Sequence, residues 1–585
     1  MAYDLLTTSG INSLVNSYIN SESQKRLSPL TTRNSKYSSI SNIYSGLLSK
    51  VDTLKSKMST LKATGTSSAF ATKKAVSSNT TAVTVSASTA AQKGAFALRV
   101  NQLAKNDLVV SLDKNSTDLS TITTPGTYTL AIKGGDGEGG QFTSNVSVLL
   151  EADDFTNGNI SFEDLSAIVT KAINDDKAVV TSNSVSGSTL SSGSFTFDLN
   201  GTETSINYTA GTYDEVIDSI ITQLEDVSGL SAEKVVDGSN IQLKLTVTDS
   251  SKYISINGDT GSLLSELGIS VEQEKGASGI VSATSFSPST GLSQISLTAK
   301  NSGAGFKIDE LSDLSGGVLA QFGLNLGSTR TAFVQNENGV DTAGYVHDSA
   351  ILNSKIVFNG LNIERNSNSI SDLVSGVTLN LKSVMDVDDN DVTIDVANDV
   401  SAVKAKIDEF ISTFNDVYNY IKTNTSSSDG VRGVLLGDAS GSSLLSLLSS
   451  TAYSPVSSLG SGTINSLTEM GITFNSNTGL SITDSDQLND VLENNIEEVE
   501  QTFNSDSGIA ANLYNKLLPY TGYNGYLTAR KNTIDGNIKS TTDSITKIQT
   551  KIEKDSEVLR NRYIQLQSQL SELLTSTGSF GSDLF

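Results

Sequence analysis

An unbroken 3,4,3,4 spacing of apolar residues between Leu27 and Leu61 constrains this chain more than any other feature. Leu27, Leu30, Asn34, Tyr37, Ile40, Tyr44, Leu47, Val51, Leu54, Met58 and Leu61 form one narrow stripe along a helix for five heptads. Such a stripe demands a partner helix. Asn34 is its only polar member, and a lone Asn in a seam sets register or oligomeric state at some cost in stability. Pro29 falls near the start, where it opens or kinks a helix. A second stripe closes the chain: Ile534, Ile538, Ile545, Ile548, Ile552, Leu559, Tyr563, Leu566, Leu570 and Leu573, with Thr541 and Asp555 or Ser556 in the gaps. At 1.5 Å per residue each helix is roughly 50–60 Å long. Neither buries its stripe alone, so each must pair with the other, with further helices or with neighbouring subunits. Length and narrowness argue against two ordinary amphipathic helices of a globular core.

A third helix is predicted over Val403–Ile421, with Val403, Ile407, Phe410, Ile411, Phe414, Val417 and Ile421 on one face. Shorter helices are predicted at Ser442–Ser449, Asp486–Phe503 and Gly508–Leu518. Residues 71–400 change character. Alternating runs at Ala82–Ala87, Phe96–Val100, Tyr128–Ile132, Phe195–Leu199, Ile241–Val247 and Val377–Leu381 read as strands between Gly/Ser/Asn/Asp turns. Helical patches interrupt them at Phe162–Ile173 and Tyr213–Leu224. Leu245–Ser270 resembles Leu297–Asn325: each runs strand, turn, strand, then a short helix ending in glycine. The pattern predicts duplicated small α+β modules.

Charge separates the ends from the middle. The net charge is −24 over 585 residues. Lys25–Lys62 carries +7 and Arg530–Arg562 carries +3, so residues 63–529 hold −30. So acidic a body argues against nucleic acid and anionic membrane as partners. The chain has no cysteine, which removes disulfides, thiolate metal sites and cysteine nucleophiles and suits an exported protein. The first residues carry no basic residue before Lys25 and no apolar block of signal-peptide length. Export is therefore expected to bypass a cleaved signal peptide.

Catalytic constellations do not assemble. The sole histidine, His347, has no nucleophile marked beside it. Gly135–Gly140 reads GDGEGG, but a strand-like segment follows where a dinucleotide site needs a helix N-terminus, so a hairpin turn is expected. Asp386, Asp388 and Asn390 have EF-hand spacing, yet Asp391 stands where that loop needs glycine and Ala397 where it needs glutamate. An acidic turn is the reading there, with weak calcium binding as the alternative. No enzyme, cofactor or metal site is expected.

Several segments together resemble the bacterial flagellar filament-capping family, also called hook-associated protein 2. Thr8–Ile19 (TSGINSLVNSYI) is similar to that family's opening, although its Leu-Asp is absent here. Gly94–Lys105 (GAFALRVNQLAK) resembles a strand motif shared by flagellar axial proteins, and Arg365–Lys382 resembles a run ending Gly-Val-Thr-Leu. Phe410–Ile421, Val434–Ser440, Ser466–Phe503, Ser507–Arg530 and Leu559–Leu574 follow in the family's order.

The resemblance implies an α+β multidomain protein in which long terminal coiled-coil helices and a helical leg domain bracket inserted β-rich domains. The expected parts are a terminal coiled-coil leg (1–35 and 545–585), a helical leg domain (36–70 and 400–544), a β-rich plate (71–115 and 326–399) and outward-facing inserted modules (116–325). The implied role is structural: a homo-oligomer, pentameric on the filament, sits at the distal tip outside the cell. There it retains exported flagellin and promotes its folding and insertion. The two heptad stripes would be the assembly seam. Partners would be further copies, flagellin, filament-end subunits and a cytoplasmic export chaperone at the C-terminal helix. The alternatives are another flagellar axial protein, such as a filament subunit or hook–filament junction protein, or a surface adhesin acting through 116–325.

Overall fold

The computed structural model describes residues 7–187, 189–334, 342–428, 430–460 and 462–580. The outermost parts of the expected terminal leg, 1–6 and 581–585, lie outside them. Helices of nine or more residues among the described residues are α1 (Thr8–Glu22), α2 (Ser28–Leu61), α3 (Phe162–Asp175), α4 (Tyr213–Leu224), α5 (Val400–Thr425), α6 (Ala439–Tyr453), α7 (Ser485–Asn494), α8 (Ile496–Asn504), α9 (Ile509–Leu517) and α10 (Tyr526–Phe580). Long helices near both ends thus bracket a β-rich middle. The chain forms two compact units: one takes the chain up to Lys74, Ser88–Ala90 and everything from Ala397, the other takes Ala75–Ala87 and Ala91–Val396.

In the first unit, α1 and α2 are one helical run. Pro29 neither stops nor starts it. The chain widens into a π-helical turn over Ser23–Leu27, where the Ser28 amide donates to the Ser23 carbonyl, and α2 resumes with Pro29 in its first turn. The wider turn makes room for the pyrrolidine ring and its missing N–H. α5 begins at Asp399, whose side chain accepts the Ala402 amide at 3.0 Å. Its apolar face, from Val403 to Ile421, is buried against Tyr44–Leu61 of α2, together with α9 and the ring cluster of Phe70, Phe410, Phe414 and Phe503. Gly46 sets the closeness of α2 and α5. A Cβ there would fall 2.4 Å from the Tyr420 hydroxyl, which donates to the Ile43 carbonyl. The single predicted helix Asp486–Phe503 is two helices, broken at Asn495, whose φ of −128° leaves the helical region. A hairpin of Ile472–Asn475 and Gly479–Ile482 packs on α5 through Asn415, which exchanges two 2.7 Å hydrogen bonds with the Leu480 backbone.

The second unit holds three cores. One lies among Leu98, Val100, Ile356, Ile370, Leu379 and Ile394, on a five-stranded sheet centred on Gly94–Gln102 and a three-stranded sheet centred on Val377–Leu381. Here the Asp386–Asp391 loop closes on a guanidinium. Arg99 donates to the Asp391 carboxylate and to the carbonyls of Asp386 and Asp389. Arg99 thus holds the Asp391 carboxylate and two carbonyls of the acidic turn.

The other two cores belong to copies of one module. Label the strands β1 (Asn106–Val110), β2 (Gly126–Gly135), β3 (Gln141–Leu150), β4 (Val179–Thr181), β5 (Gly193–Leu199), β6 (Thr202–Tyr208), β7 (Leu230–Asp237), β8 (Asn240–Val247), β9 (Tyr253–Asn257), β10 (Val271–Lys275), β11 (Val281–Phe286), β12 (Leu292–Ser302) and β13 (Ile308–Asp313). The outer module runs β1, hairpin β2–β3, α3, hairpin β11–β12, β13 and a short helix at Val318–Gln321. The inner module runs β4, hairpin β5–β6, α4, hairpin β7–β8, β9 and a short helix at Leu263–Glu266. Pairings match throughout: β13 lies on β2 as β9 lies on β5, and Leu297 faces Val109 as Leu245 faces Val180. Both short helices end at a glycine with positive φ, Gly268 and Gly323, and each first turn is tied to an aspartate, Asp259 or Asp313. The modules are nested rather than in tandem, because the inner one is inserted between α3 and β11. The sequence repeat covers only their final thirds. The GDGEGG segment is the β2–β3 turn, with Asp136 accepting the amides of Glu138 and Gly140.

One buried ion pair pins the outer module. Asp107 on β1 is fully buried and meets Arg330 through two 2.6 Å hydrogen bonds while accepting the Ile308 amide of β13 at 2.9 Å. Arg330 also donates to the carbonyls of Ile308 and His347 and lies 3.9 Å from the Tyr345 ring centre. The sole histidine thus contributes a backbone acceptor to this pin. Removing one member leaves a charge without its partner, which costs about 3–5 kcal/mol. Asp107→Ala is expected to destabilise the outer module by that amount, read as a lower unfolding temperature in calorimetry.

Candidate functional site

The terminal stripes meet as an antiparallel pair inside the first unit. The Asn34 amide reaches Thr542 Oγ1 at 3.4 Å, and one heptad on, Ser41 Oγ donates to the Asp535 carboxylate. Lys531 pairs with the same carboxylate at 2.6 Å, and these two contacts hold Asp535 below the usual carboxylate range. At the far end, Lys55 ties Asp52 to Thr521 Oγ1. These polar contacts flank the shared stripe and mark the register of the pair.

The stripe divides into three parts with different surroundings. Tyr44, Leu47, Val51, Leu54, Met58 and Leu61 are fully buried beneath α5 and α9. This half is the core of a folded helical unit. The apolar face of α5 widens the contact far beyond one partner helix. Burial also pushes the Tyr44 phenol well above its usual range. Leu27, Leu30, Asn34, Tyr37 and Ile40 are half-buried, with α10 as their neighbour. Along α10, Ile534 and Ile552 are buried, Ile538, Ile545, Ile548, Leu559, Tyr563 and Leu570 are half-buried, and Leu566 and Leu573 are 44% and 61% exposed. Of the residues filling gaps in the stripe, Thr541 and Ser556 are buried, whereas Asp555 turns outward to pair with Lys551.

Three features lie outside the predicted stripe. α1 packs on α10 through Ile11 and Val15, both buried. Its sequence signal is the spacing of Ile11, Leu14, Val15, Tyr18 and Ile19 in a Ser/Asn-rich stretch. Beyond Ile552, α10 shows Val558 and Ile564 about half exposed beside Leu566. The loop from α9 to α10 presents Tyr523 at 90% exposure, and Tyr526 at the start of α10 is 62% exposed. An exposed tyrosine pays little entropy on contact and offers both an apolar face and a hydroxyl. No group of His, Asp and Glu able to hold a metal ion occurs among the described residues, and no described helix is long and apolar enough to cross a membrane.

Asn34 is the weak point of the pair. Its Oδ1 is buried without a hydrogen-bond partner, and its amide contact is long. Asn34→Leu is expected to stabilise the α2–α10 pair by about 1 kcal/mol, read as slower amide exchange over residues 30–38. The same substitution is expected to broaden the oligomer distribution in native mass spectrometry. Unchanged exchange and an unchanged distribution would count against the assignment.

Comparisons with known proteins agree with this architecture. The family models for the N-terminus and the C-terminus of flagellar hook-associated protein 2 match residues 9–107 and 352–574. The A-type flagellar hook-associated protein 2 of Pseudomonas aeruginosa is 27% identical over 382 residues, covering 62% of this chain and 77% of the relative. The corresponding protein of Salmonella typhimurium is 24% identical over 246 residues, 40% of this chain and 50% of the relative. Among solved structures, a fragment of the flagellar cap protein from Escherichia coli superposes with a TM-score of 0.45 at 16% identity, covering 84% of this chain and 99% of that one. The two family matches take in both arms of the helical unit and flank the nested modules, and the chain belongs to the flagellar hook-associated protein 2 family.

Proposed function

We propose that this chain is a structural protein that caps the distal end of the bacterial flagellar filament, outside the cell. It works as a homo-oligomer, pentameric on the filament, retaining exported flagellin and promoting its folding and insertion. The terminal helices are the gripping element, and one observation carries this reading. Upstream, the apolar stripe of α10 is covered by α2; past Ile552, Val558, Ile564 and Leu566 turn their side chains to solvent. An apolar face of that kind fits the open end of a filament built from helices with similar seams. It also fits an export chaperone that would hold the C-terminal helix in the cytoplasm. Export follows the flagellar route. The role is assembly rather than catalysis. The −30 charge of residues 63–529 turns away nucleic acid and anionic membrane.

The test is deletion of Leu559–Phe585. A chain with near-native circular dichroism that fails to support filament growth is the expected result. Normal filaments from that deletion would overturn the proposal. Long helical filaments formed by the purified full chain alone would favour a filament-subunit role instead.

A further inference from the structure

The nested modules join through a narrow neck, one strand pairing, a Phe142–Tyr253 ring contact and the approach of Gly279 to the Ser250 carbonyl. The chain leaves the outer module at Asp176–Ala178 and returns at Gly276–Ser278. The two crossings lie side by side: the Ala277 amide donates to Asp176 Oδ2 at 2.7 Å, and the Ser278 hydroxyl donates to the Asp176 carbonyl. Gly276 makes this possible, since a Cβ there would fall 2.6 Å from Lys177 Cα. β10 then merges the two modules into one seven-stranded sheet, ordered β6-β5-β9-β10-β3-β2-β13. It pairs with β9 of the inner module over several residues but with β3 of the outer module at one, Glu274 opposite Thr143. Beside that contact lies a cleft of about 570 Å³, and Glu274 lines it.

Glu274 is an unusual residue for such a place. Burial pushes its carboxyl up to about 7; a hydrogen bond from the Asn145 amide opposes the shift and the nearby Asp176 carboxylate adds to it. Burial also raises Asp176, against hydrogen bonds from Ser144 and the Ala277 amide. The other charged groups at the cleft are Lys171 and Asp175 of α3, which pair with each other, Lys177 of the neck and Lys244 of β8. On β10 itself, Lys275 is depressed by burial and lies 4.3 Å from the Phe142 ring centre; Phe142 in turn touches Tyr253 of β9. Lys244 is already matched by Glu233 at 2.8 Å. Among the described residues no lysine forms an ion pair with Glu274, and the Asn145 amide is the group that favours its ionised form.

We propose that Glu274 is a proton-operated latch between the nested modules: protonated, it lets β10 sit on β3; ionised, it opens that contact so that the inner module swings about the neck. The sign follows from linkage. A carboxyl that is harder to ionise in the closed state favours closure below its ordinary range, and that contribution is lost as pH rises through about 7. Across this window the ratio of open to closed junction rises on the order of a hundredfold. The neck hydrogen bonds keep the opened module tethered, while the Phe142–Tyr253 contact parts with the strand junction.

Because the chain has no cysteine, two engineered thiols are its only labels. Glu203→Cys on the inner module and Ser289→Cys on the outer one take spin labels in the full-length chain, and pulsed electron resonance reads their separation between about pH 5 and about pH 8.5, a window spanning the carboxyl's ordinary and shifted values. One narrow distance in acid giving way to a second population with a midpoint near 7 is the expected result, with Glu274→Gln narrow throughout. Asp176→Asn, which removes the neighbouring anion, is expected to move the midpoint to lower pH. An identical distribution at both extremes, a transition that survives in Glu274→Gln, or an unmoved midpoint in Asp176→Asn would overturn the proposal.

Discussion

The fold of this chain depends on covering the Tyr44–Leu61 stripe of α2. Six large side chains there lose all contact with water, each worth roughly 1.5–3 kcal/mol if buried and well packed. Their cover comes from α5, α9 and the start of α10, which lie more than 330 residues further along the chain. The helical unit is therefore assembled from both ends of the sequence, and the chain between Lys74 and Ala397, apart from Ser88–Ala90, has to leave it and return. The Gly46–Tyr420 approach marks how closely the two arms fit. A side chain on Gly46 would separate α2 from α5 where the Tyr420 hydroxyl bonds to the α2 backbone.

That long-range closure explains what was legible in sequence. Periodicity reports that Leu27–Leu61 needs a partner, but not which one. The same spacing serves a solvent-edged helix pair at Leu27–Ile40 and a fully enclosed core from Tyr44 onward. What separates them is the apolar face of α5, and its Val403–Ile421 pattern was equally legible; their juxtaposition was not. Strands were readable wherever one face is buried, as in β8, whose buried and half-buried residues alternate. The Arg99 staple of the Asp386–Asp391 loop joins positions nearly 290 residues apart, and the Asp107–Arg330 pin spans 223. No local pattern announces such pairs. α1, within the expected 1–35 leg, has a Ser- and Asn-rich sequence of modest helix propensity, and it docks Ile11 and Val15 on α10.

The nesting was half legible for a related reason. β-strand, turn, strand and glycine-terminated short helix repeat visibly at Leu245–Ser270 and Leu297–Asn325, because a Schellman-type glycine and a turn-capping aspartate leave a sequence trace. The first halves of the modules share only generic devices: a hairpin, then a helix capped by Ser161 or Thr212. Insertion at the α3–β11 connection is physically mild. The broken ends stay adjacent at Asp176 and Gly276, so the outer module keeps its pairings whatever fills the gap. Surface connections between elements with neighbouring ends are where chains accept such additions.

Nesting also orders the entropy of folding. The inner module is contiguous, and its pairings close short loops. The outer module must bring α3 to β11 across roughly 105 intervening residues; if those remain unfolded, closure costs about 2–3 kcal/mol more than if a formed neck already holds the ends together. The same reasoning applies one level out, where the helical unit must unite α2 with α5 and α10 across the whole of the second unit. Closure is thus least costly from the innermost module outward, each step shortening the loop for the next. The helical unit, which carries the apolar surface proposed to engage the filament, has the longest loop to close. Its Tyr44–Leu61 core is also the largest apolar reward in the chain, and that reward is what offsets the final closure.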